Sequence, residues 1–233
     1  MRARSALALI SLLAASALCV ALVEIRTYET GNSYYRFLIW NLFLAWVPLL
    51  LAIAAYARAR RRTDWVVAAL LVPWLLFFPN APYLLTDFVH LESDVVHQRL
   101  AAPVWYDALM LSAFAWTGVL LGFSSLLLVQ TIVRWTLGAR AAWAAVVVAL
   151  GLGSVGVYVG RFVRLNSWDA LLHPGRVLDL LQRQHTDAPL RLPEALVALT
   201  AFLLVGYLAV YGVSGLAPEL ERDDAPRAPR DAA

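Results

Sequence analysis

The stretch from Ala108 to Val133 reads ALMLSAFAWTGVLLGFSSLLLVQTIV and holds neither a charge nor a proline. Roughly 20 apolar residues cross the hydrocarbon core of a bilayer as a helix, so this run is long enough to do so. Asp107 precedes it and Arg134 follows it, so the apolar character begins and ends abruptly. A soluble helix of this length would carry a polar face along one side.

Five more apolar stretches flank it: Ser5–Val23, Phe37–Ala57, residues 65–85, Ala141–Gly160 and Ala195–Val213. The third is interrupted. Trp65–Phe78 is short, and its apolar character resumes through Pro79-Asn80-Ala81-Pro82-Tyr83-Leu84-Leu85. Proline removes a backbone donor and disfavours helix at the residue before it, so a bent or broken helix is expected, with Asn80 and Pro82 in a structural role. Ser5–Val23 follows Arg2 and Arg4 and could be read as a signal peptide. Its charge-free run is long for one, no small-x-small cleavage site follows, and Leu18 makes a poor lipoprotein site of Cys19. A retained helix is expected.

The composition agrees. Of 233 residues, 61% are hydrophobic and 15% charged, with a mean hydropathy of +0.68. A soluble domain is nearer half apolar and a quarter charged. An ordinary cytosolic enzyme, a disordered chain and a basic nucleic-acid module are excluded, and no nucleic-acid partner is expected. The 19 basic residues, every one Arg, against 16 acidic ones give a net charge of only +3. The single cysteine, Cys19, allows neither an intramolecular disulfide nor a four-cysteine zinc site. The expected fold is all-α: a polytopic transmembrane bundle of about six spans in one domain, 1–217, with short interfacial helices in two outer loops. Residues 218–233, rich in Pro, Ala and charge, read as a disordered tail.

Arginine placement sets the expected orientation, because basic residues near spans stay in the cytoplasm. Arg58, Arg60, Arg61 and Arg62 crowd the second connection, Arg134 and Arg140 the fourth, and Arg2, Arg4, Arg222, Arg227 and Arg230 fall on the same side. Both termini are then cytoplasmic, in a bacterial inner membrane. Trp65, Trp135 and Trp143 would form the inner aromatic belt, and Trp105, Tyr106, Tyr158 and Trp168 the outer one. Arg161 and Arg164 stand on the disfavoured side. Either a long loop tolerates them, or they hold an anion or pair with carboxylates.

All charged residues fall outside the six apolar cores as drawn, which argues against a proton-coupled transporter. Gly118-x-x-x-Gly122 and Gly156-x-x-x-Gly160 are spacings for close helix contact. Packing of the fourth against the fifth helix within one chain is expected, with Asp107 near Arg161 at their outer ends.

Groups capable of chemistry gather in the two outer loops. After Thr86, read as an N-cap, Asp87, His90, Asp94 and His97 recur at helical spacing and share a face. An Asp-x-x-His pair could ligate a divalent metal through Asp87 and His90, though no spacing fixes further ligands. The alternative is the wet stripe of an interfacial helix. In the second loop Arg161 and Arg164, three apart, would share a helix face and suit a phosphate or carboxylate, or would snorkel at the interface. Asn166-Ser167 reads as a cap for a helix at Trp168, and Gly175–His185 as an amphipathic stretch at the membrane surface. Asp169 and His173 could complete a metal site only if the loops meet.

At these residues the chain resembles the bacterial family called domain of unknown function 1361. The likeness rests on Phe-Pro-Asn-Ala-Pro-Tyr-Leu-x-Thr-Asp-x-x-His-Leu from Phe78, Trp105-Tyr106-Asp107, and Gly-Arg-Phe-x-Arg-x-Asn-Ser-Trp-Asp from Gly160. It implies an integral membrane protein of bacterial origin and brings no catalytic residues with it.

Three functions stay open. One is a membrane enzyme with an extracytoplasmic site, in which Asp87, His90, Asp107 and Asp169 act as acid–base or ligand groups. Arg161, Arg164 and Asn166 would then hold an anionic lipid or envelope precursor, framed by Trp105, Tyr106 and Trp168. The second is a non-catalytic binding or assembly protein whose outer face recognises a lipid headgroup or an envelope protein. The third is a small-solute permease using the Pro79–Pro82 break. No phosphate loop, serine elbow or Cys-x-x-Cys is present, so neither a nucleotide nor a haem cofactor is expected.

Overall fold

The computed structural model describes residues 2–163 and 192–223. These residues are helical throughout apart from turns, with no strand among them. Six helical segments are long and apolar enough to cross a membrane: Ser5–Thr30, Tyr34–Ala59, Trp65–Val96, Val104–Leu137, Ala139–Arg161 and Pro193–Gly215. The protein is a multi-pass membrane protein by this architecture. The chain forms α1 (Arg2–Thr30), α2 (Phe37–Ala59), α3 (Trp65–Phe77), α4 (Asn80–Tyr83), α5 (Phe88–Val96), α6 (Val104–Leu137), α7 (Ala139–Tyr158) and α8 (Leu192–Asp223). The turns at Arg60–Asp64 and at Gly138 lie at one end of the bundle, and those at Gly31–Arg36 and Gln98–Pro103 at the other. The second end carries the candidate site.

Helix α6 is the centre, with the largest buried share of the six segments, and it packs against α1, α2, α4, α5 and α7. The expectation that its glycines serve packing within one chain holds, but their partner is the broken third span rather than α7. A Cβ on Gly118 would lie 2.4 Å from the Ala81 carbonyl oxygen, and one on Gly122 3.2 Å from the Ala81 Cβ. From the other side, a Cβ on Gly153 would meet Phe78 at 2.9 Å and one on Gly156 would meet Pro79 at 2.3 Å. The prolines end α3, and the chain from Phe78 to Leu84 wedges between two glycine-lined helices. Small residues let backbones approach where polar bilayer-facing backbone would be costly. Asn80 supports the bend by donating from its amide to the Phe77 carbonyl at 2.9 Å, and Pro82 is buried.

Three further expectations change. The first span continues beyond Val23 to Thr30, carrying Arg26 into the protein interior, where it is 2% exposed. Thr86 does not cap a helix. It sits inside a 3-10 turn, Leu84–Asp87, and its hydroxyl donates to the Tyr83 carbonyl at 2.7 Å. The stripe on α5 is also reversed. Asp87 is buried and His90 and Asp94 turn to protein partners, whereas Phe88, Val89, Val95 and Val96 are exposed. The outer face mixes these apolar side chains with exposed Glu92 and Ser93, a composition that suits the interface between lipid and water.

The aromatic residues divide likewise. Trp65 and Trp135 at the arginine-rich end and Trp105 at the site end are exposed. Tyr158 is buried instead of facing out, and Tyr106 donates its hydroxyl to the Leu22 carbonyl at 2.9 Å. Trp143 packs edge-on against Tyr211, with ring centroids 5.2 Å apart. The Gly175–His185 stretch lies outside the described residues.

Candidate functional site: two buried ion pairs at one end of the bundle

Asp87 arrives through the α3–α4 break and the 3-10 turn that follows it, which places its side chain fully inside. Arg161 comes from α7, where the helix widens into a π-turn over Val159–Val163. Such i→i+5 turns redirect the side chains that follow and occur often at functional sites. Here the π-turn carries the Arg161 guanidinium onto four groups. One terminal nitrogen, Nη2, donates to Asp87 Oδ1, Nε donates to Thr86 Oγ1 at 2.8 Å, and Nη1 lies 3.1 Å from His90 Nε2. The Tyr83 ring sits beneath the guanidinium, 4.5 Å from its carbon. A cation over an aromatic face in a desolvated setting adds attraction that does not depend on a counter-ion.

His90 is held from the opposite side by the Tyr34 hydroxyl, 3.0 Å from Nδ1, and by the Phe37 ring, 4.8 Å between centroids. Beside Tyr34, Tyr35 donates to Asp94 Oδ2 at 2.9 Å, and its ring lies 4.5 Å from the Arg26 guanidinium carbon. Arg26 grips Asp107 with two bonds, Nε–Oδ1 at 2.6 Å and Nη2–Oδ2 at 3.1 Å. A polar layer thus runs from Asp107 through Arg26, Tyr35 and Asp94 to His90, Arg161 and Asp87.

Asp107 is therefore paired with Arg26, and Arg161 with Asp87; the two residues expected as neighbours are not partners of each other. The charges inside the helical segments also qualify the picture of purely apolar spans: Arg26, Asp87 and Asp107 are all buried. Each carboxylate has an arginine as counter-ion, which is the condition for burying charge. Within this layer one oxygen of Asp87, Oδ2, and one nitrogen of Arg26, Nη1, are buried without a hydrogen-bond partner among the described residues. The Asn41 amide of α2 lies beside Asp87.

As for a metal, Asp87 Oδ1 and His90 Nε2 are 3.9 Å apart, and both face the Arg161 guanidinium. Among the described residues no group of three His, Cys, Asp or Glu is placed to hold a metal ion. The cation between these two ligand types is the arginine. His97, the last member of the stripe, is exposed and bonds to its own helix at Ser93. Trp105 is exposed at the start of α6. Arg164, Asn166, Trp168, Asp169 and His173 lie outside the described residues.

Arg26, Tyr34, Tyr35 and Tyr83 were not legible as site residues. The signal available was slight: Arg26 follows the first apolar run by three positions, close enough for the same helix to carry it.

Fold and site together define a multi-pass helical membrane protein with compensated ion pairs buried at one end. Residues 40–209 match the model of the DUF1361 family, described as a protein of unknown function, and the chain belongs to that family. The match includes Asp87, Asp107 and Arg161 and leaves Arg26, Tyr34 and Tyr35 outside. No curated protein and no solved structure matches the chain.

Proposed function

We propose that this is a multi-pass protein of the bacterial cell membrane, with both termini cytoplasmic, that binds an anionic group at the extracytoplasmic end of its bundle. The ligand is the headgroup of a lipid or of a lipid-borne envelope precursor. Arg161 is the anchoring cation, and Arg164 and Asn166, next along the chain, contribute to the same site.

One observation carries this reading. The Arg161 guanidinium is fixed by Asp87, Thr86 and the Tyr83 ring, yet only three of a guanidinium's five N–H donors are engaged among the described residues. A planar donor fork held in place loses little freedom when it meets phosphate or carboxylate oxygens. Arg161 is 10% exposed, so a ligand meets it largely desolvated, where hydrogen bonds to charge are strong.

The catalytic reading has less support. Asp87 and Asp107 are both engaged by arginine, and His90 turns Nε2 toward a cation, so none of the three is poised to take a proton from a substrate.

The test is lipid retention. Protein reconstituted with phosphatidylglycerol and phosphatidylcholine, then extracted into detergent, should keep phosphatidylglycerol preferentially by mass spectrometry. Arg161→Lys and Arg164→Gln should each reduce that preference, and Arg36→Gln, at an exposed pair with Glu24, should not. Equal retention of both lipids by the unaltered protein would remove the proposal.

A further inference from the structure

Tyr34 opens the second apolar segment, joins no ion pair, and is half exposed at the site end. Its place is nevertheless fixed. The Thr30 hydroxyl accepts from the Asn32 backbone N–H at 3.2 Å, and the Asn32 side-chain oxygen accepts from the Tyr34 backbone N–H at 2.8 Å. Its ring packs edge-on against Tyr35, Phe37 and His90, with centroids 5.2, 5.8 and 5.9 Å away. A tyrosine tied this firmly into a short turn presents its hydroxyl in one direction.

The direction of its hydrogen bonding follows from Arg161. A guanidinium has donors and no acceptor. In the 3.1 Å contact between Arg161 Nη1 and His90 Nε2 the arginine must donate, so Nε2 carries a lone pair. A neutral imidazole with an acceptor at Nε2 has its proton on Nδ1. Nδ1 then donates to the Tyr34 oxygen, 3.0 Å away. The Tyr34 oxygen is an acceptor in that bond, and its own proton points away from His90.

We infer that Tyr34 is a ligand-binding residue of the Arg161 site, its hydroxyl donating outward to an anionic oxygen at the end of a chain running Arg161 to His90 to Tyr34. Every bond in the chain is polarised in the same sense, away from the guanidinium, and aligned hydrogen bonds strengthen one another. The arrangement carries part of the arginine's donor strength to a half-exposed hydroxyl. The ligand class it selects is an oxyanion, phosphate or carboxylate, which only accepts. This inference rests on the anion-binding reading above and adds a residue outside the family-matched segment.

Two measurements test it. A variant with His97→Gln, His173→Gln and His185→Gln keeps His90 alone for nitrogen-15 NMR, and the expected signal is the neutral Nδ1–H tautomer. In the phosphatidylglycerol retention assay, Tyr34→Phe should lower the preference about tenfold or more, the effect of losing one hydrogen bond to a charged group, with the tautomer unchanged. His90→Gln, whose carbonyl can accept from Arg161 while its amide donates to Tyr34, should retain much of the preference. An Nε2–H tautomer overturns the inference. So does a Tyr34→Phe protein that matches the unaltered one while Arg161→Lys loses phosphatidylglycerol, an outcome that leaves the anion reading standing. If no variant changes retention, the anion reading falls as well.

Discussion

Arg26 and Asp107 form a two-bond ion pair across 81 positions of sequence, with the two side chains 2% and 0% exposed. It joins α1 to the start of α6, the helix on which the bundle is built. Around it lie three lesser contacts between α1 and the bundle: Tyr106 to the Leu22 carbonyl, Cys19 to Thr117 at 3.5 Å, and Trp46 Nε1 to Ser16 at 3.0 Å. The pair is the strongest polar attachment of the first helix.

Removing one partner strands the other as a buried charge, which costs about 3–5 kcal/mol. Arg26→Met and Asp107→Leu should each lower the unfolding temperature in detergent sharply. The double variant should recover most of the loss, because no lone charge remains. Arg36→Gln, which breaks an exposed pair, should shift stability by less than about 1 kcal/mol. A double variant no better than the singles would show that the pair does not act as a unit.

The glycine wedge gives a second expectation. Gly118→Ala and Gly156→Ala push a Cβ into the Ala81 carbonyl and the Pro79 ring, so each should destabilise by about 1–3 kcal/mol. Gly151→Ala and Gly212→Ala, with nothing within 4 Å of the new methyl, should be neutral or stabilising by up to about 1 kcal/mol, since both are helical. Thermal unfolding of the four variants side by side separates close approach from mere helix propensity.

At the opposite end Asp64 caps α3, accepting from the Val66 N–H at 3.2 Å, and pairs with Arg58. The Arg58 guanidinium holds its carboxyl below the usual carboxylate range. A depressed folded-state value means the stabilisation is complete above the unfolded carboxylate's value, about 3.9, and is lost as pH falls through the folded one. The unaltered protein should therefore lose thermal stability toward the acid end more steeply than Asp64→Asn, which keeps a capping oxygen but does not titrate. Parallel acid profiles for the two proteins would refute this.

Sidedness has its own test. Cys19 is buried, so single new cysteines report cleanly. Asn32→Cys and Gln98→Cys, both at exposed turn positions of the site end, should react with a membrane-impermeant maleimide on intact cells. Arg60→Cys should react only after the membrane is opened. The reverse pattern would place the ion-pair layer in the cytoplasm and remove the envelope ligand.

Much of this was legible without coordinates. The six spans follow from run lengths, because hydrocarbon thickness sets how many apolar residues a helix needs. The break at Pro79–Pro82 follows from proline's missing donor, and the grouping of Asp87, His90 and Asp94 from helical spacing. The site itself was only half legible. Spacing says that three polar residues share a face and is silent on whether that face meets water or protein. The shared face expected for Arg161 and Arg164 assumed α geometry, and the π-turn at Val159–Val163 has no local signature that the sequence displays.

The sequence alone determined that the chain forms membrane-crossing helices and how many, since transfer of apolar side chains from water is a sum over residues and needs no knowledge of neighbours. Tertiary structure decided which charges meet. Arg26 finds Asp107 over 81 positions and Arg161 finds Asp87 over 74. Whether a buried ion is tolerated depends on the distance and geometry of its partner, quantities that exist only once the helices have packed.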